Sequence, residues 1–287
     1  MSLKKLTYCI LVSLLFVSCK NGQPNDDVFQ DSSYDNVVLG EDLIQIGMPN
    51  KLDYLIDNLS LSDEMIGLLA SFDKSLYDDA LLNPTENVKF CNTSKNKAVN
   101  MGVYGAELNY LIHFGQTQYS MKYMLASKQL ADQIGVAMAF DQQMVEEYQS
   151  NVENKDSLIN IIFAVYDNAK RMLKNEEQFL LSSLVIVGSW VENMYITTTF
   201  FNRTESVAIK SKLVTNIVEQ KNYLTKMIEC VSLLDEGDNV YVTEVRKELE
   251  KIDSVYGGFG DRLLLESDVA TLNKQIAAAR NVMIKIN

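Results

Sequence analysis

Ile217, Leu224 and Val231 recur at every seventh position, and Leu213, Met227 and Leu234 lie alongside them. Lys210, Lys212, Glu219, Asn222, Lys226 and Glu229 take the other side. This period marks an amphipathic helix with one stripe turned to a core. Val242, Val245, Leu249, Ile252 and Tyr256 repeat it in a second helix. Val269, Leu272, Ile276, Ala279 and Met283 repeat it in a last one, which Ser267 or Asp268 could cap. Leu158, Ile162, Val165, Ala169 and Met172 form another such face, with Asp156 and Ser157 at its start. Leu52, Leu55, Ile56 and Leu59 begin the fold. A break at Ser60-Leu61-Ser62-Asp63 then leads to a helix carrying Met65, Ile66, Leu68 and Leu69.

Between these stripes, Asp235-Glu236-Gly237-Asp238 reads as an acidic interhelix turn and Tyr256-Gly257-Gly258-Phe259-Gly260 as the clearest loop. No alternating strand pattern with hairpin signals and no repeat of fixed period is present. Pro24, Pro49 and Pro84 are the only prolines, so none follows Pro84. Proline costs about 3 kcal/mol inside a helix, and its absence over such a length suits long helices. The pattern predicts an all-α protein: a multi-helix bundle of long antiparallel helices, with no sheet, as a single domain over residues 49–287.

Two segments depart from simple amphipathicity. Phe179 to Phe201, "FLLSSLVIVGSWVENMYITTTFF", carries one charge, Glu192. Its length suits a membrane span. Glu192 and Asn193 near its middle, the diluting Ser and Thr residues and the missing basic flanks favour a central bundle helix instead. The other segment, Val99 to Gly135, reads as one helix. Gly102, Gly105, Ala106 and Gly115 are small enough to let a neighbour approach closely, and apolar and aromatic residues nearly encircle its first half.

The N-terminus adds an address. Lys4 and Lys5 precede an apolar run, Leu6 to Val17, too short to span a bilayer as a stable helix, and Ser18 then stands before Cys19. Phe16-Val17-Ser18-Cys19 resembles the lipobox of bacterial lipoproteins, although Phe16 stands where leucine is usual. The resemblance implies a signal peptide over residues 1–18, cleaved before Cys19. It also implies a diacylglyceryl group on the thiol and acylation of the new amino terminus with chains of the palmitate kind. Each buried methylene contributes about 0.8 kcal/mol, so two or three chains anchor a protein stably. Residues 19–48 are then the lipidated cysteine and a polar tether, too poor in apolar groups to fold.

The resemblance extends beyond the leader. "YGAELNYLIHFGQTQYSMKYMLASKQLADQIGV" and "GSWVENMY" are similar to segments of uncharacterised all-helical lipoproteins from Bacteroidetes, over most of the chain after the tether. That family implies a helical lipoprotein and no established activity. Asp156-Ser157-Leu158 and Asp253-Ser254-Val255 also resemble the O-glycosylation sites of that phylum, though a helix start and a helix end account for them equally well.

Charge and cysteine content narrow the function classes. The formal net charge is −12, and loss of Lys4 and Lys5 with the leader makes it two units more negative. An acidic envelope protein of this kind repels nucleic acid and anionic lipid headgroups. Cys9 leaves with the leader. Cys91 and Cys230 remain, either as a disulfide or as two buried thiols.

The single histidine, His113, excludes a multi-histidine zinc site and H-E-x-x-H. Tyr110 stands where a di-iron Glu-x-x-His pair needs its glutamate. The Gly-x-His-x-x-Glu motif of imelysin-like lipoproteins is also missing around His113. No G-x-S-x-G elbow, Walker lysine or EF-hand spacing occurs, and no cofactor is indicated. His113 itself reads as a hydrogen-bonded packing residue. Glu146-Glu147 and Glu176-Glu177 read as solvated faces.

What remains is a conflict between charge and surroundings. Glu107 has Val103, Tyr104, Tyr110 and Leu111 as helical neighbours, and Glu192 lies in the most apolar stretch of the chain. A buried, unpaired carboxylate costs several kcal/mol, so each should be protonated or paired. One reading is a structural polar network that fixes helix register. The other is a small ligand pocket in which Glu107, His113, Gln116, Glu192 and Asn193 orient a ligand, lined by Tyr104, Tyr110 and Trp190. The expected function is a lipid-anchored outer-membrane binding or structural/interaction module, held to the membrane through Cys19, with an envelope protein or a small ligand as partner and no enzyme activity. The alternative is an enzyme or metal-binding protein that uses the buried carboxylates.

Overall fold

The structure, a computed structural model, describes residues 47–59, 74–176, 178–260 and 262–284. Cys19, the tether and the helix expected around Met65–Leu69 lie outside them. Among the described residues every regular element is helical, and all belong to one compact unit, Leu43–Asn287. The α-helices are α1 (Met48–Asp57), α2 (Ser94–His113), α3 (Thr117–Gln133), α4 (Gln142–Ser150), α5 (Lys155–Asn175), α6 (Phe179–Arg203), α7 (Val207–Leu234), α8 (Val240–Phe259) and α9 (Glu266–Met283). Short 3-10 turns at Lys74–Leu76, Asp79–Leu81, Thr85–Phe90 and Ala137–Phe140 fill the connections. The all-α bundle expected from the sequence is the fold found.

The bundle is organised around α6. A helix apolar on all sides must be covered on all sides, and α6 packs against α1, α2, α5, α7 and α9. Its most apolar stretch passes the length and composition test for a membrane span, with mean hydropathy 1.4, yet 72% of that stretch is buried by neighbouring helices. It is the central helix of the bundle. Its closest partner is α2. At their crossing Gly102 lies against the Val185 carbonyl and Gly188 against the Val99 carbonyl, so the two backbones touch. One turn further along α2, Gly105 leaves room for the ring of Tyr166 from α5. The Tyr166 hydroxyl donates to the Met101 carbonyl at 2.9 Å and lies 2.8 Å from Ser127 Oγ on α3.

Several helix boundaries differ from those the sequence predicts. The segment Val99–Gly135 is two helices. α2 ends at His113, Gly115 takes φ +74°, and α3 doubles back against α2. In the opposite sense, Gly257 and Gly258 stay inside α8, which stops only at Gly260 with φ +61°. Two adjacent glycines weaken a helix but do not end it while Tyr256 and Phe259 are anchored in the core. α5 begins at Lys155, one residue before the expected start, because Asn154 caps it by accepting from the Ser157 amide at 3.1 Å. α9 begins at Glu266, before the expected cap: Leu265 is the N-cap, and Asp268, in the first turn, accepts from the Leu265 amide at 2.7 Å while Arg262 holds its carboxylate.

Cys91 and Cys230 do not pair; both are buried free thiols, Cys91 after the 3-10 turn at Thr85–Phe90 and Cys230 inside α7.

Candidate functional site

The two glutamates singled out by their apolar surroundings meet in the core. Glu107 comes from the middle of α2 and Glu192 from the middle of α6, and each is 0% exposed. Between them stands a third residue, Arg280, from the last turn of α9. Its Nε donates to Glu192 Oε2 at 2.5 Å and its Nη2 to Glu192 Oε1 at 3.0 Å, a two-point fork. The same Nη2 reaches Glu107 Oε1 at 3.4 Å and the Leu81 carbonyl at 3.1 Å. The guanidinium carbon lies 4.6 Å from the centre of the Tyr195 ring, one helical turn beyond Glu192 on α6. Glu107 Oε1 also accepts from the backbone amide of Asn83. Two buried carboxylates thus share one buried cation, under a lid formed by Leu81–Asn83.

Electrostatics separate the two acids. Burial pushes the Glu107 carboxyl well above the usual carboxylate range, and the Glu192 charge pushes it further; Arg280 and the Asn83 amide only partly oppose this. Burial raises Glu192 as well, and the Arg280 charge and its forked hydrogen bonds oppose that rise. Attraction to the two acids outweighs the cost of burying the Arg280 guanidinium, which stays charged. Glu107 Oε2, the one carboxylate oxygen of the cluster with no donor, is fully buried.

The other residues proposed to share a pocket with the glutamates turn elsewhere. The Tyr104 hydroxyl donates to the Pro84 carbonyl at 3.0 Å, and Tyr110 exchanges hydrogen bonds with the amide and carbonyl of Asp78, at 2.9 and 3.2 Å. Both tie the 3-10 segments onto α2. Trp190 Nε1 donates to Gln220 Oε1 on α7 at 2.9 Å, and Asn193 Nδ2 bonds back to the Ser189 carbonyl at 2.9 Å. His113 is buried at the last turn of α2, and Gln116 is half-buried at the bend into α3. Glu107 and Glu192 are therefore brought together, while Tyr104, Tyr110, Trp190 and Asn193 place their polar atoms on other groups.

Arg280 was not among the expected site residues. Its neighbours Asn281 and Lys285 suggest a polar end to the last helix, yet Arg280 follows Ile276 by four residues and so falls on the buried stripe. That register was the available signal. No group of three or more His, Cys, Asp or Glu among the described residues is arranged to hold a metal ion.

At the surface, an open cleft of about 540 Å³ lies between α4 and α5, lined by Met138, Met144, Ile161, Asn151, Asn160 and Asn168 among others. Comparison of the chain with protein-family models, with curated proteins and with solved structures finds no match.

Proposed function

We propose that this protein is a lipid-anchored envelope module that works by binding a partner at its outer surface rather than by catalysis. The observation that carries the reading is the state of the two core carboxylates. Both have zero exposure, and Arg280 stands where a ligand between them would have to lie. An acid or base for catalysis has to come within hydrogen-bond reach of a substrate; Glu107 and Glu192 are spent on joining helices. Anchoring through Cys19 rests on the leader and tether, and the acidic charge argues for a partner other than nucleic acid or an anionic lipid surface.

Metabolic labelling with a palmitate analogue tests the anchor. The native chain should carry the label and sediment with membranes, and Cys19→Ser should lose both. A Cys19→Ser chain that keeps the label, or a native chain that is unlabelled and soluble, overturns this part of the reading. For the choice between binding and catalysis, Glu192→Gln is decisive. Loss of a measurable turnover with an unchanged melting temperature would make the cluster a catalytic site.

A further inference from the structure

We propose that Glu107 is kept as a neutral acid that gives its proton to Glu192, and that this proton bridge latches the Leu81–Asn83 segment over the core and releases it when Glu107 ionises. The inference does not depend on the anchor or on the partner. It starts from a count of donors. Glu107 Oε1 already accepts from the Asn83 amide and from Arg280, whereas Oε2 is buried with no donor aimed at it. A carboxylate oxygen left in that position is costly, whereas a carboxylic O–H there becomes a donor. The acceptor at hand is Glu192, whose carboxyl lies within hydrogen-bond reach of Glu107 and whose fork on Arg280 leaves lone pairs to spare. With one proton between them, the two acids carry a single negative charge that Arg280 balances, and the buried cluster is neutral.

No other described group supplies a second positive charge. The titratable groups around Glu107 are Tyr104 on its own helix, Tyr123 on α3, Tyr166 on α5, and Glu192 and Tyr195 on α6. Arg280 on α9 is the cation, and Glu86 and Cys91 flank the covering segment. Burial holds Tyr104, Tyr123 and Tyr166 far above the tyrosine range, so they stay neutral. Burial and the neighbouring Glu192 act on Glu107 in the same direction as the donor count.

Ionisation of Glu107 would leave an uncompensated charge in the core, and water must enter or the cover must lift. The cover not made of α-helix is the run from Asp79 to Phe90, two 3-10 turns joined by residues 82–84 and attached through Leu81, Asn83 and Pro84. The release is therefore expected there, next to the exposed Lys89.

The sign of the pH effect follows from linkage. A carboxyl raised in the folded state binds a proton that the unfolded chain has already lost above about pH 4.3. Its stabilisation is complete below that pH and is lost as the pH climbs through the folded-state value. Glu107→Gln keeps the donor and cannot ionise.

The test compares the purified full chain with its Glu107→Gln variant. Between pH 5 and 8 the folding constant of the native chain should fall relative to the variant by up to about tenfold per pH unit. Contributions common to both chains cancel in the ratio. Trypsin cleavage at Lys89 should accelerate with pH in the native chain more than in the variant. A ratio independent of pH, or equal cleavage of the two chains throughout, overturns the proposal. If the variant does not fold, carboxyl carbon-13 resonances of glutamate in the native chain decide: one in the protonated position at pH 7 supports the bridge, and none overturns it.

Discussion

Gly102 on α2 and Gly188 on α6 face one another's helix so closely that a methyl group on Gly102 would lie 2.0 Å from the Val185 carbonyl oxygen, and one on Gly188 would lie 2.0 Å from that of Val99. The obstacle in each case is backbone, which cannot rotate away. Overpacking of a core costs about 1–3 kcal/mol even where side chains can adjust. Gly102→Ala and Gly188→Ala should each meet or exceed the upper end of that range, read as a lowered denaturant midpoint. Gly257→Ala and Gly258→Ala have open space around the added methyl. They should stabilise α8 by about 0.5–1 kcal/mol, the usual gain from replacing a helical glycine. If all four variants behaved alike, the contact between α2 and α6 would not be as close as described.

Arg280→Met removes the cation that forks onto the buried Glu192 carboxylate. Breaking such a pair costs about 3–5 kcal/mol, and urea unfolding should show a loss of that order. Arg280→Lys keeps the charge but not the fork to Glu192, so it should recover only part of the loss. Full recovery with lysine would show that the charge, and not the two-point geometry, holds α9 to α6.

Thiol chemistry offers a third check. Burial pushes Cys91 up to about 11 and Cys230 up to about 12, and the thiolate is the reactive form. Both should resist iodoacetamide at pH 8 in the folded chain and both should react once the chain is unfolded, as counted by mass spectrometry. Because the unfolded chain ionises first, these thiols add a loss of stability as pH rises above about 8.5, the ordinary cysteine value. That window lies above the one assigned to Glu107.

Trp190 is the single tryptophan and is 4% exposed. Its emission should be blue-shifted and poorly quenched by iodide until α6 and α7 separate, which makes it a probe of the central contact. Trp190→Phe leaves Gln220 Oε1 buried without its donor and should cost about 1–3 kcal/mol. A smaller effect would mean that Gln220 finds another partner on α7.

The fold was legible because periodic stripes such as Leu213–Leu234 and Val242–Tyr256 are local signals, and each became a helix face in the core. The bend at Gly115 was not legible. An isolated glycine inside an apolar run is compatible with a continuing helix, and only the return of α3 against α2 requires the positive φ. The site was half legible. Glu107 and Glu192 stood out because charge is rare in apolar surroundings. Arg280 did not, since a basic residue near a helix C-terminus is ordinary for reasons of dipole alone. Its role depends on a contact 88 residues distant in sequence, which no local pattern contains.

The position of Glu192 has a consequence for biogenesis. A chain with the leader read here would pass through a secretion channel before it folds, and α6 is long and apolar enough to slip sideways into the lipid on the way. An acidic residue at the centre of such a stretch raises the free energy of insertion by about 2.5–3.5 kcal/mol. In an exported chain Glu192 would discourage lateral escape during transit, and Arg280 would neutralise it only once the bundle closes. The same carboxylate that joins the central helix to α9 in the folded bundle would then oppose its insertion into lipid beforehand.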